Sequence, residues 1–362
     1  MMLRPVVSLL LVLSFTGQAQ QKGSGCPSAS RVKVRASGQI RVVSEDRKDV
    51  GYALSGTAKG QVKATLHEGW CMIVVSTGDG LFSQELLLTL PRTIHMTRLD
   101  NRSGSISARF LHGDVIATTN AGSIEMDEIG GDVNARTGGG PMTFGTVGGS
   151  LRCLSGGGTI QARKIGKEGV LESAGGEILV DEGGSWLRLS TSGNIHVGRV
   201  AQSLFAYTSA GLIDVDQAMG MVTAETASGS IQIGGARGVR CESAVGSIRL
   251  KNVSGGVRAA TASGAVTVSL GAGYALENSY LASGHGDVTV FVPSNLSVTV
   301  KALNETPSSA GRVISDFPEI QRMLSTVGRQ NGPVVAQGNL NGGGPVLMLS
   351  AAGGAISIKR QK

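Results

Sequence analysis

Between Ser103 and Val292 the chain repeats one short phrase of polar and apolar positions. Each copy opens on a glycine: Gly104, Gly122, Gly140, Gly158, Gly176, Gly193, Gly211, Gly229, Gly246, Gly264 and Gly286. The spacings are 18, 18, 18, 18, 17, 18, 18, 17, 18 and 22 residues. Two and four residues after each glycine the side chain is apolar at all 22 positions, as in Ile106/Ala108, Ile160/Ala162 and Val288/Val290. Apolar at +2 and +4 with mostly polar neighbours is period-two alternation, which predicts a short strand. A second strand is signalled near +11 and +13 (Val115/Ala117, Leu151/Cys153, Leu187/Leu189, Val257/Ala259). A third apolar site recurs at +7 (Leu111, Ile129, Val147, Val200), and a further glycine often stands at +9 (Gly113, Gly131, Gly149), suited to corners.

Strands this short cannot bury an apolar face alone, so copies must stack. If each copy is one coil, equivalent residues lie about 4.8 Å apart as parallel strands, and ten coils form a rod of about 50 Å. Propeller blades need roughly 40 to 50 residues each and do not match this period. The expected fold is all-β: a single-chain parallel β-solenoid of about ten 18-residue coils with β-rich caps at both ends.

The flanks divide the rest. Residues 1–19 read as a secretory signal peptide: Arg4, an apolar run from Val6 to Phe15, then Gly17-Gln18-Ala19 as small residues at a cleavage site. The run is too short for a permanent transmembrane anchor. Residues 20–100 are expected to form an N-terminal β cap without the 18-residue period, with strands at Arg31–Arg35, Gln39–Val43, Gln61–Leu66, Met72–Ser76, Gln84–Leu90 and Thr93–Arg98. Residues 101–302 hold the repeats. Residues 303–344 read as a polar insertion projecting from one edge, with a helical turn or two around Pro318–Ser325. In 345–362 Leu347, Leu349 and Gly354-Ala355-Ile356-Ser357-Ile358 restate the repeat as a final coil, followed by a basic tail.

The order of these parts resembles the bacterial putative-adhesin family of β-strand-repeat proteins, a family largely of unknown function. The resemblance rests on strands ending in Leu90-Pro91, the copies of Ser/Ala-Gly-x-Ile-x-Val, and the closing Gly-Gly-Gly-Pro-Val-Leu-Met-Leu and Gly-Gly-Ala-Ile-Ser-Ile segments. It covers roughly residues 30 to 358. It implies an exported, non-enzymatic solenoid of the cell envelope, and it brings no catalytic residues with it.

Composition suits an exported scaffold: 55 glycines in 362 residues, 16% charged and 4% aromatic, with a net charge of +7. Removing Arg4 with the signal leaves +6, from 32 Lys and Arg against 26 Asp and Glu. That basicity permits attraction to anionic polymers or headgroups, but the charges are scattered, which solubility alone explains. Four cysteines in an exported chain allow two bridges. Cys153 and Cys241 occupy the same inward column five coils apart, on the order of 24 Å, whereas a disulfide needs Cα atoms within about 7 Å. They are expected as buried free thiols, which leaves Cys26 and Cys71 as the pair able to bridge. Cys26 lacks the leucine-like residue that a lipidation site wants upstream.

Chemistry is sparse. Asp214/Asp216, Asp127/Glu128 and Asp181/Glu182 are the carboxylate pairs, and no acid recurs in the same column of the adjacent coil. His67, His95, His112, His196 and His285 show no ligand spacing. Gly113-Asp114, Gly131-Asp132 and Gly286-Asp287 are fragments of a calcium-binding nonapeptide. The glycine runs lack the Lys-Ser/Thr of a phosphate loop. No catalytic, cofactor or metal site is expected. Trp186, Phe205 and Tyr207, in or beside the second strands of neighbouring coils, form the candidate surface patch, with core or edge packing as the alternative use. The expected function is a non-catalytic envelope protein, an adhesin or surface-binding scaffold. Its partner would be an envelope component or polysaccharide rather than nucleic acid. A polysaccharide lyase or hydrolase on the same scaffold is the alternative, and carboxylates converging across adjacent coils would mark it.

Overall fold

The computed structural model describes residues 19–56, 60–77, 84–273, 275–305, 312–323 and 333–361. Within them the chain is all-β, without a helix, and its strands pair mostly in parallel. The expected signal peptide lies, apart from Ala19, outside the described residues.

Each strand pairs with the strand two places later, at an offset set by the repeat. The first strands of successive copies form one ladder: Ile124 sits over Ile106, Met142 over Ile124 and Ile160 over Met142. The second strands form another, in which Val133 sits over Val115 and Leu151 over Val133. The 17-residue copies keep this register because the missing residue is taken from a corner. Thr191 pairs with Thr208 and Ile195 with Ile213, and the shortened stretch is the turn at Ser192-Gly193. A slip inside a strand would instead turn every apolar side chain to water.

All 22 apolar positions at +2 and +4 are at most 1% exposed. They line the interior from the first ladder, and Ala117, Ala135, Cys153, Leu171 and Leu189 line it from the second. The opening glycines stack directly. A Cβ built on Gly122 would overlap the carbonyl of Gly104, one on Gly158 that of Gly140, and one on Gly354 that of Gly286. Close approach of backbone to backbone, rather than flexibility, fixes glycine in this column.

Beside the glycines runs a buried hydroxyl column, three residues before the glycine in most copies. The Thr137 hydroxyl donates to the Gly122 carbonyl (2.8 Å) and accepts from the Gly140 amide (3.2 Å). Ser155 repeats this with Gly140 (3.1 Å) and Gly158 (2.8 Å), and Ser173 with Gly158 (2.9 Å) and Gly176 (3.0 Å). The hydroxyls answer the corner groups that the ladders leave over. An asparagine takes the column near each end: Asn101 Nδ2 donates to the Gly38 carbonyl (2.7 Å), and Asn304 Nδ2 to that of Gly354 (2.7 Å).

The ends correct the sequence reading in several places. Gly38-Gln39-Ile40-Arg41-Val42 is itself a copy of the repeat, with Ile40 and Val42 paired to Ile106 and Ala108. The N-terminal region therefore contains a coil that lies 66 residues out of period. Two strands were missed: Ala19–Gly25 and Val50–Gly56, which pair antiparallel with each other. The strand expected at Thr93–Arg98 is Met96–Asn101. Residues 303–344 do not project as a loop. Val298–Asn304 pairs in parallel with Val346–Ala351 and antiparallel with Val334–Leu340. It does so because Val298, Val300 and Ala302 need cover, which Ala336 and Leu340 help to supply. Around Pro318 there is a turn followed by the strand Gln321–Met323, not a helix, and Leu324-Ser325 lie outside the described residues.

Chain order is inverted at both ends. The coil at Arg31–Glu45 lies between the first regular coil and the strands Trp70–Thr77 and Gln84–Pro91. The final coil, Val346–Ala351 and Ile356–Arg360, lies between the copy opened by Gly286 and earlier-synthesised strands. All five antiparallel pairings belong to these two ends. Such terminal hairpins shield parallel edges from pairing with another chain.

Candidate binding surface

Parallel stacking turns each outward position into a row that runs along the stack. On the second-strand ladder the central outward row reads Lys33, Arg98, Ile116, Asn134, Arg152, Val170, Arg188, Phe205, Thr223, Arg240, Arg258 and Tyr280. It contains no acid. The neighbouring rows answer part of its charge: Asp100 holds Arg98 at 3.0 Å, and Glu242 holds Arg240 at 3.0 Å and Arg258 at 3.7 Å.

The structure brings Trp186, Phe205 and Tyr207 together on this face. Trp186 immediately precedes the strand Leu187–Thr191, and Phe205 and Tyr207 stand on the next strand of the ladder. Trp186 is 38% exposed and Tyr207 40%, so neither is a core residue. Phe205 is half-buried under the Arg188 guanidinium, 5.2 Å from the ring centroid. Arg258 lies over Tyr280 at 5.6 Å on the same row. Stacking of this kind holds rings and guanidinium planes flat against the sheet.

Beside these rings lies a groove of about 370 Å³, parallel to the stack axis. One wall is the edge row Met96, Asp114, Asp132, Ser150, Glu168 and Trp186, and the other is Ile116, Asn134, Arg152 and Val170. Val115, Val133 and Leu151 form the floor. The Asp132 amide donates to Asp114 Oδ1 (2.9 Å), and the Ser150 amide to Asp132 Oδ1 (2.8 Å). The Gly-Asp fragments thus hold the coil above them: Asp287 Oδ1 likewise accepts from the Ala355 amide at 2.8 Å.

The opposite, first-strand face is mixed in charge. His196 Nδ1 meets Asp214 Oδ2 at 3.1 Å, Arg163 meets Asp127 at 3.4 Å, Lys164 meets Glu182 at 3.6 Å, and Arg109 pairs with Glu125. Asp127 Oδ1 also accepts the amides of Glu128 (3.0 Å) and Thr146 (2.9 Å), a backbone-holding role. Among the described residues no three His, Cys, Asp or Glu side chains come together as a metal site, and no helix is long and apolar enough to cross a membrane.

Cys26 and Cys71 are joined by a disulfide with Cα atoms 5.6 Å apart. Cys153 and Cys241 are free and buried, five rungs apart on one ladder. Burial pushes both thiols well above their ordinary titration range, because the apolar interior disfavours the thiolate.

No protein-family model and no curated protein matches the chain. Among solved structures, a "putative cell adhesion protein" from Clostridium sporogenes ATCC 15579 is similar over 95% of this chain and 100% of its own, at 11% identity and a TM-score of 0.22. A "putative adhesin" from Bacteroides fragilis NCTC 9343 is similar over 95% and 98%, at 11% identity and a TM-score of 0.20. Likeness at this level assigns no activity.

Proposed function

We propose that this chain is an exported, non-catalytic β-solenoid protein of the bacterial cell envelope, a surface-binding scaffold of the adhesin type. Its binding face is the outward side of the second-strand ladder. The observation that supports this reading is the exposure of Trp186 and Tyr207 beside Phe205 on a flat face whose central row carries no acid. Aromatic rings held at fixed spacing on a rigid sheet are contact residues for a partner, and their exposure has no role in packing. The regular stack gives such a face length without mobile loops, and the paired caps keep the stack from growing end to end.

The test uses the purified mature chain, immobilised and exposed to envelope extract and to a polysaccharide panel, with binding and product release read separately. Saturable capture that falls on double substitution of Trp186→Ala and Tyr207→Ala, without new reducing or unsaturated ends, is the expected outcome. Release of such ends removes the non-catalytic reading, and capture indifferent to the double substitution removes this face as the binding site. Recovery of the chain from exported fractions, beginning near Gln20, tests the export.

A further inference from the structure

Resting on the surface-binding reading, we propose that the groove from Met96 to Trp186 binds a linear, uncharged, polyhydroxylated chain, a neutral glycan lying along the stack. The groove crosses five strand spacings, about 24 Å, which is the footprint of an extended oligomer rather than of a compact metabolite. Its walls repeat on the pitch of the coil, as a polymer's own groups repeat. Asp114 and Asp132 stand one rung apart, and each commits Oδ1 to an amide of the next coil. That bond fixes the carboxylate's orientation and leaves Oδ2 outside it, ready to accept from a hydroxyl. Asn134 and Arg152, on the facing wall, supply donors. At the end of the groove Trp186, 38% exposed, offers a ring face to the apolar side of a sugar.

Charge decides against the polymer that the composition suggests. The chain as a whole carries +7, yet the groove sets Asp114, Asp132 and Glu168 against Arg152 alone, a local balance of −2 (three acids less one cation). A polyuronate, a nucleic acid or an anionic membrane would place like charge against those carboxylates, which is penalised at close range. An uncharged chain meets no such penalty, and its hydroxyls match the mixed donors and acceptors.

The experiment titrates the full mature chain, by calorimetry and affinity electrophoresis, with β-1,4- and β-1,3-linked glucose hexasaccharides, xylohexaose and N-acetylglucosamine hexamer. Polygalacturonate and phosphatidylglycerol vesicles run beside them. At least one neutral hexasaccharide is expected to bind saturably. Trp186→Ala should weaken that binding tenfold or more, Asp132→Asn should weaken it severalfold, and His196→Ala on the opposite face should leave it unchanged. Asn at 132 keeps the oxygen that holds Ser150 and exchanges only the outer acceptor for a donor, so its effect reports on ligand rather than on folding. The inference is overturned if no neutral hexasaccharide binds, if binding ignores Trp186→Ala, or if polygalacturonate or vesicles bind in its place. Capture from envelope extract that falls with Tyr207→Ala but ignores Asp132→Asn removes the groove and keeps the wider reading. Absence of any capture removes both.

Discussion

Thr137 and Thr226 occupy the same buried column, yet substitution by valine should act on them in opposite directions. Thr137 donates to the Gly122 carbonyl at 2.8 Å and accepts from the Gly140 amide at 3.2 Å. Thr137→Val keeps the shape and strands both groups in a buried corner, where an unmet polar group costs about 1–3 kcal/mol. Removing the hydroxyl's own burial cost offsets part of this, so the net loss should be about 2 kcal/mol. Thr226 is equally buried, but its hydroxyl has no partner among the described residues. The reason is local: the Gly229 amide, which would call on it, donates instead to the Val245 carbonyl at 2.8 Å. Thr226→Val therefore removes an unpaired polar atom and should be neutral or stabilising by up to about 1 kcal/mol. A stack of coils need not unfold in one step, so hydrogen exchange is the suitable assay, read at amides of Val133–Thr137 and Val222–Ser228. Protection around Thr137 should fall about thirtyfold, since 1.4 kcal/mol is a factor of ten, while protection around Thr226 holds or rises. Equal losses at the two sites, or a silent Thr137→Val, would refute the account of the column.

Gly158→Ala should destabilise strongly, because its Cβ meets the Gly140 backbone, while Gly157→Ala, with nothing within 4 Å, should be tolerated; thermal melting of the pair checks this. Reducing Cys26–Cys71 releases a constraint spanning 45 residues, worth about 4 kcal/mol on the chain-entropy model, and should raise exchange in Arg31–Ala36 before that of the central coils. Cys153 and Cys241 have raised thiol pKa values in the folded state, so above about pH 9 the unfolded chain loses these protons and the native chain keeps them. Stability should be level below that pH and fall above it by up to about 1.4 kcal/mol per unit per thiol, and the double Cys→Ala variant should flatten the decline. Truncation after Gly344 exposes the edges of Ser279–His285, Val288–Val292 and Val298–Asn304; the truncated chain should self-associate in sedimentation where the full chain does not.

The ladders were legible because the signal is written into every copy: an apolar side chain at +2 and +4 has one interior to face, and glycine spacing sets the pitch. The hydroxyl column was equally present, as Thr137, Ser155, Ser173 and Thr208 three places before a glycine, but a polar residue in a polar-rich turn gives no hint that it is buried. The coil at Gly38–Val42 escaped because periodicity is sought between neighbours, and this copy pairs across 66 residues. The C-terminal hairpin escaped for the same reason: Val298–Asn304 looks like the start of a loop until the later strand Val346–Ala351 slides in beside it. The aromatic patch could be listed from sequence, but exposure of Trp186 and Tyr207 depends on which side of each strand faces water. The groove could not be foreseen, since it joins side chains from six copies and its charge opposes that of the whole chain.

Everything above depends on residue n lying over residue n + 18, and a set of spin-label distances tests that register most directly. Labels at outward position Asn134, in a background carrying Cys153→Ala and Cys241→Ala, are paired in turn with labels at Arg188, Arg240 and Arg258. These positions lie three, six and seven rungs away on one row. At one strand spacing per rung the distances should increase as about 14, 29 and 34 Å. Distances that fail to grow with rung number, or a 134–258 pair closer than the 134–188 pair, would contradict the stack and the binding face built on it.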